Sequence, residues 1–145
     1  MSEYVREITE EQIQELCEKA VRMRARSYVP YSHFRVGAAL LGEDGKIYTG
    51  CNIENAAFTP TICAERTAIF KAVSEGTTKF AAIAIAGGTE NGPLQYCSPC
   101  GVCRQVMQEF CPPDFPIYLA KSGTDYRKYT LKTLLPDGFG GKNLK

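Results

Sequence analysis

Three cysteines in two short segments limit what this chain can become. Thr61-Ile62-Cys63-Ala64-Glu65-Arg66-Thr67-Ala68 and Ser98-Pro99-Cys100-Gly101-Val102-Cys103-Arg104-Gln105 each place a cysteine after a loop, at the start of a predicted helix. A helix N-terminus exposes unpaired N–H groups and carries partial positive charge, which favours thiolate over thiol. Cys100 and Cys103 are three apart, so both sulfurs can lie on one helical face. With Cys63 they supply three soft donors to one Zn²⁺. A fold that satisfies them must bring two helix N-termini to the same point.

Three protein ligands leave the fourth tetrahedral position to water, which distinguishes a catalytic zinc from a structural one. Glu65 lies two residues beyond Cys63. It is too close to be a comfortable fourth ligand, yet it can reach a water in that position and carry its proton. Three thiolates give the centre a net negative charge. Arg66, beside Glu65, can offset that charge by donating hydrogen bonds to the sulfurs.

Other assignments compete for the same cysteines. Cys97, Cys100 and Cys103 form a C-x₂-C-x₂-C run, so Cys97 could close a Cys₄ structural site. Pro99 and the helix start favour Cys100 and Cys103 as the pair and leave Cys97 in the loop. An iron–sulfur pattern would want a cysteine at 107, where Met stands. The single His33 has no evident partner for nucleophilic catalysis and reads as a surface or packing residue. Cys17, Cys51 and Cys111 read as buried apolar residues.

The rest of the chain alternates helix and strand signals. Thr9 and Gln12 fit a capping box opening a helix from about Glu10 to Arg26. Phe34 to Leu41 and Ile47 to Gly50 flank Asp44-Gly45, a hairpin signal. Cys63 to Ser74 is helical, with Gly76 as a stop. Phe80 to Ala86 is continuously apolar, which suits a strand buried on both faces and ended by Gly87-Gly88. Cys100 to Phe110 is a short helix. Ile117 to Ala120 and Tyr126 to Leu131 are strands, followed by an irregular tail. The order predicts an α/β fold: three layers, a mixed five-stranded sheet with helices on both faces, in one domain over residues 1–145. Too few residues join the last two strands for a parallel crossover, so they should be antiparallel.

Charge and length exclude several classes. The 145 residues carry a formal net charge of +1, without the basic stripe that nucleic acid or an anionic membrane calls for. No apolar run approaches the roughly 20 residues needed to span a bilayer. The polar, acidic N-terminus does not read as a signal peptide. Seven cysteines, an odd number, cannot all pair, which points to thiols in a reducing compartment.

Taken together the motifs closely resemble the small homotetrameric zinc-dependent cytidine deaminases. The matching segments are Tyr31 to Ala39 (YSHFRVGAA), Gly50 to Ala56 (GCNIENA), Cys63 to Ala68 (CAERTA), Ser98 to Gln105 (SPCGVCRQ) and Leu134 to Gly140 (LLPDGFG). A Cys₃ zinc with a neighbouring non-ligand Glu and a Pro-Cys-x-x-Cys is the signature of zinc deaminases. The resemblance implies hydrolysis of cytidine and 2′-deoxycytidine to uridine and 2′-deoxyuridine in pyrimidine salvage. It also implies one Zn²⁺ per subunit, a cytoplasmic location and a homotetramer with shared active sites. By the same resemblance, Phe34 packs against the pyrimidine, and Asn52 and Glu54 hold the ribose hydroxyls. The Ala64 N–H and the Glu65 carboxyl read the Watson–Crick edge, the Ser98 backbone lies near the leaving amine, and Phe139 reaches into a neighbour's site. Phe58 stands where many relatives have Tyr.

Three rival functions remain at this level. A nucleotide or nucleic-acid deaminase needs phosphate contacts, and only Arg35, Arg66 and Arg104 lie near the motifs. A deaminase of blasticidin-type nucleosides would share the zinc chemistry. A zinc-stabilised binding module would keep no exchangeable water.

Overall fold

The computed structural model describes residues 7–145. Its elements are α1 (Glu10–Met23), β1 (Phe34–Gly42), β2 (Ile47–Cys51), α2 (Ala64–Ser74), β3 (Phe80–Thr89), α3 (Gly101–Phe110), β4 (Pro116–Ala120), β5 (Tyr126–Thr130) and α4 (Leu131–Leu134). The strands form one sheet in the order β2-β1-β3-β4-β5. Only β3 and β4 pair in parallel; β4 and β5 are antiparallel, as the short link between them requires.

The capping box at Thr9 forms as expected. Gln12 N–H donates to Thr9 Oγ1 at 3.1 Å, and Thr9 N–H donates to Gln12 Oε1 at 2.9 Å. α1 then buries Leu16, Cys17 and Ala20. A 3₁₀ turn over Arg24–Arg26 ends the expected helix.

Alternation along β3 builds two different cores. Ile83 and Ile85 face α2, α3 and α4, where Ile69, Met107 and Leu131 pack. Ala82, Ala84 and Ala86 face α1. Small side chains on that face let α1 come close: a Cβ on Gly37 would stand 2.1 Å from the Ala20 carbonyl oxygen. Both faces of β3 are therefore covered, which accounts for its unbroken apolar run.

Two expectations need correction. Gly87-Gly88 does not end β3, which continues to Thr89 by pairing Gly87 with Val36 and Gly88 with Arg35. The missing side chain at Gly87 makes room for Cys97, whose Sγ would lie 2.7 Å from a Cβ there. The tail is also less irregular than expected. β5 stops at Thr130, and Leu131 opens α4 with Thr130 and Thr133 capping each other. Gly141–Leu144 forms a 3₁₀ turn.

The topology dictates where a site can form. β2 and β3 are each antiparallel to β1, so they run parallel to one another. Each is followed by a loop and a helix. The N-termini of α2 and α3 therefore open at the same edge of the sheet, beyond the carboxyl ends of β2 and β3, where ligands bind in α/β folds.

Candidate metal centre and active-site cavity

Cys63 and Cys100 are the residues immediately before α2 and α3. Both have extended backbones, and neither side chain caps its helix. A Ser or Asp at such a position would bond the first-turn N–H groups; these sulfurs instead face one another. The Cys63 and Cys100 sulfurs are 3.7 Å apart, and those of Cys100 and Cys103 are 3.5 Å apart. All three lie within 4.8 Å of one another. Tetrahedral zinc with Zn–S bonds of about 2.3 Å needs sulfurs roughly 3.8 Å apart, so the cluster fits the ion with little adjustment. Cys97 is not part of this group.

The electrostatics of the cluster call for a cation. Hydrogen bonds from Cys103, Arg66 and Cys100 push the Cys63 thiol down to about 5, against an opposing effect of burial. Cys103, fully buried and facing that thiolate, is pushed up. Without a cation the trio cannot hold three negative charges; a divalent metal reverses that balance. Arg66 Nη2 donates to Cys63 Sγ at 3.3 Å, as the sequence suggested.

Glu65 is the only acidic side chain in the buried interior of the described residues, at 4% exposure. Burial is the main cause raising its pKa to about 7, and the charge of Cys63 adds to it, while its own backbone N–H and Arg66 pull it down. A carboxyl poised there can both accept and release a proton near neutrality.

A cavity of about 190 Å³ opens over these groups. Cys63 contributes together with Ala64 and Glu65 at the start of α2; the loop before α3 contributes Cys97, Ser98 and Cys100; the loop after β2 contributes Asn52 and Glu54. Val36, Thr61 and Ile62 complete the wall. No Lys or Arg lines it. Each nearby arginine is engaged elsewhere. Arg35 Nη2 pairs with Glu90 at 2.6 Å, and Arg66 is turned to the sulfurs. Arg104 donates to the carbonyls of Pro99 and Leu134 and to Ser98 Oγ, bracing the cysteine loop.

Most of the expected site residues thus converge. Phe34 and Phe139 do not line this cavity. Phe34 opens β1 and packs beside Gly87, next to the lining residue Cys97. Phe139 is 56% exposed, and its carbonyl accepts from Gln105 Nε2 at 2.8 Å. His33 is exposed and pairs with Glu90 at 3.1 Å. The bracing role of Arg104 was not legible beforehand, because two of its acceptors are backbone carbonyls, which leave no mark on residue type, and one of these is 30 residues away. Val36, Thr61 and Ile62 were missed as well; apolar and hydroxyl wall residues carry no chemical signature.

An α/β/α sandwich that joins three cysteine sulfurs beside a buried carboxyl at paired helix N-termini is the arrangement of a zinc-binding protein with three protein donors. The sequence pattern of the family described as the cytidine and deoxycytidylate deaminase zinc-binding region matches residues 10–119. The chain belongs to this family of hydrolytic deaminases. It is similar to the cytidine deaminase of Sporosarcina psychrophila, with 51% identity over 91% of this chain and 94% of that protein. A probable cytidine deaminase of Dictyostelium discoideum is 40% identical over 94% of this chain and 90% of its own length. Among solved structures, the cytidine deaminase from Burkholderia pseudomallei superposes with a TM-score of 0.76 at 46% identity, covering 86% of this chain and 97% of that one. The Mycobacterium tuberculosis cytidine deaminase gives 0.74 at 35% identity, covering 92% and 99%.

Proposed function

We propose that this chain hydrolyses the exocyclic amine of cytidine and 2′-deoxycytidine, consuming water and releasing ammonia with uridine or 2′-deoxyuridine, as a step of pyrimidine salvage. The observation that carries the reading is a buried carboxyl beside an incomplete sulfur cluster, in a cavity lined by no cation. Cys63, Cys100 and Cys103 would hold one Zn²⁺ per subunit. When bound, the ion supplies a Lewis acid with one open position that lowers the pKa of water.

The protein's own groups do the rest. Glu65 accepts one proton of the attacking water and passes it to ring N3, then takes the remaining proton from the new C4 hydroxyl and delivers it to the departing amine as the C4 carbonyl forms. Ala64 opens α2, so its N–H has no intrahelical acceptor and is free to donate to the base edge. The Ser98 backbone, which lines the cavity on the loop held by Arg104, meets the leaving amine. Asn52 and Glu54, which line the cavity from the loop after β2, take the sugar hydroxyls. Phe34 packs against the base from the cavity's edge.

The absence of lining cations favours an uncharged nucleoside over a nucleotide. The named relatives support the same substrate. Exposed apolar side chains, Tyr28, Ile53, Phe58 and Phe139 among them, support a homotetramer in which Phe139 completes a neighbour's site. No helix among the described residues is long and apolar enough to cross a membrane, and a thiolate centre suits the reducing cytoplasm.

Loss of ultraviolet absorbance with cytidine, CMP and a cytosine-containing oligonucleotide tests the reading. Turnover of cytidine alone, abolished by a chelator and restored by Zn²⁺, is the expected result. Preference for CMP or the oligonucleotide, or indifference to zinc, contradicts it.

A further inference from the structure

Phe34, Asn52 and Glu54 are bonded into one unit before any ligand arrives. Asn52 Nδ2 donates to the Phe34 carbonyl at 2.8 Å, and the Val36 N–H donates to Asn52 Oδ1 at 3.0 Å. On the other side, the Phe34 N–H donates to Ser32 Oγ at 3.0 Å. That same hydroxyl gives its single proton to Glu54 Oε2. Glu54 Oε1 accepts the N–H groups of Tyr31 at 3.0 Å and Ser32 at 3.1 Å.

The turn carrying Ser32 is itself fixed. His33 holds a left-handed backbone at φ 56°. Its N–H donates to the Val29 carbonyl at 3.1 Å, and its own carbonyl accepts from Glu90 N–H at 2.8 Å. A carboxylate offers about four lone-pair sites. The Tyr31 and Ser32 groups fill three of those on Glu54, leaving one on Oε2 for a single hydroxyl donor.

We propose that Ser32 is a positioning residue: its hydroxyl locks the Glu54 carboxylate to the Phe34 backbone, so that sugar and base are recognised as one rigid unit. The proposal rests on the reading of Phe34 and Glu54 as nucleoside contacts given above. Ser32 acts through these two residues and touches no reacting atom. Of the common small side chains only threonine can donate and accept from the same place.

Steady-state kinetics of the zinc-loaded wild type, Ser32→Ala and Ser32→Thr, on cytidine and on 2′,3′-dideoxycytidine, test it. Ser32→Ala should raise KM for cytidine about tenfold, because Glu54 is no longer held for the sugar, with kcat within about twofold and Tm lowered by no more than a few degrees. Ser32→Thr should restore KM. On the dideoxy substrate, which lacks the 2′- and 3′-hydroxyls and keeps the 5′-hydroxyl, the penalty should shrink to about a third or less of that on cytidine. An unchanged KM, an equal penalty on both substrates, or a joint fall in kcat and Tm overturns the proposal alone. Failure of the wild type to turn over cytidine overturns the functional reading with it.

Discussion

A Cβ placed on Gly50 would stand 2.4 Å from the carbonyl oxygen of Ala64 and 2.5 Å from the Ala68 nitrogen. Strand β2 and the first turns of α2 therefore touch backbone to backbone, and that contact sets the height of Cys63 and Glu65 above the sheet. Neither backbone atom can swing aside. Gly50→Ala should cost about 2–3 kcal/mol of stability by overpacking and lower zinc affinity. Urea unfolding of the metal-loaded protein, with zinc content measured after dialysis, checks both.

The cysteines divide cleanly by position. Cys63, Cys100 and Cys103 form the cluster, whereas Cys97 packs in the hollow beside Gly87. Cys97→Ser should retain one zinc per chain. Cys103→Ser should lose it and with it all turnover. Metal analysis of the two purified variants decides the matter; zinc lost from Cys97→Ser would make that sulfur a ligand.

Arg66 bonds the Cys63 sulfur at 3.3 Å. Drawing charge from a thiolate ligand strengthens the metal as a Lewis acid, so the effect belongs to the chemical step. Arg66→Gln should lower kcat about 10–100-fold, with KM nearly unchanged. Steady-state kinetics at matched zinc content separates the two parameters.

Much of this was legible in the sequence, for reasons that differ by residue. Thr9 and Gln12 announce α1 because a capping box is purely local. Cys63, Glu65, Cys100 and Cys103 stand out because few other chemistries use those side chains at that spacing. What escaped depends on contacts that no standard sequence pattern records. Gly87 looks like a strand terminator, yet it continues β3 by pairing with Val36, and its missing side chain leaves the space that Cys97 fills. Leu131–Leu134 becomes a helix through the mutual capping of Thr130 and Thr133, a pairing outside the usual Ser/Thr-x-x-Glu/Gln pattern. The braces on the site, Arg104 to Pro99 and Leu134 and Ser32 to Glu54, mostly use backbone carbonyls or lone pairs that leave no trace in composition.

Cys17 offers a pH test independent of the metal. Burial first, then the charges of Glu10 and Glu18, push its thiol from 9.0 up to about 12; burial also pushes Cys111 up. The folded state keeps these thiols protonated where the unfolded chain would release the proton. Their contribution is complete below pH 9 and is lost as pH rises from there towards the folded values. Each group can contribute a slope of at most about 1.4 kcal/mol per pH unit in that window. Cys17→Ala should therefore show a lower stability at pH 8 and a shallower decline to pH 10.5, measured by urea midpoints.

The central claim is that Glu65 moves the proton while three sulfurs hold the metal. The direct measurement is turnover of cytidine by Glu65→Ala, with zinc content and Tm recorded on the same sample. One zinc per chain, a native-like melt and a kcat reduced by about 10³-fold or more is the predicted result. Substantial turnover in a zinc-loaded Glu65→Ala protein would contradict it.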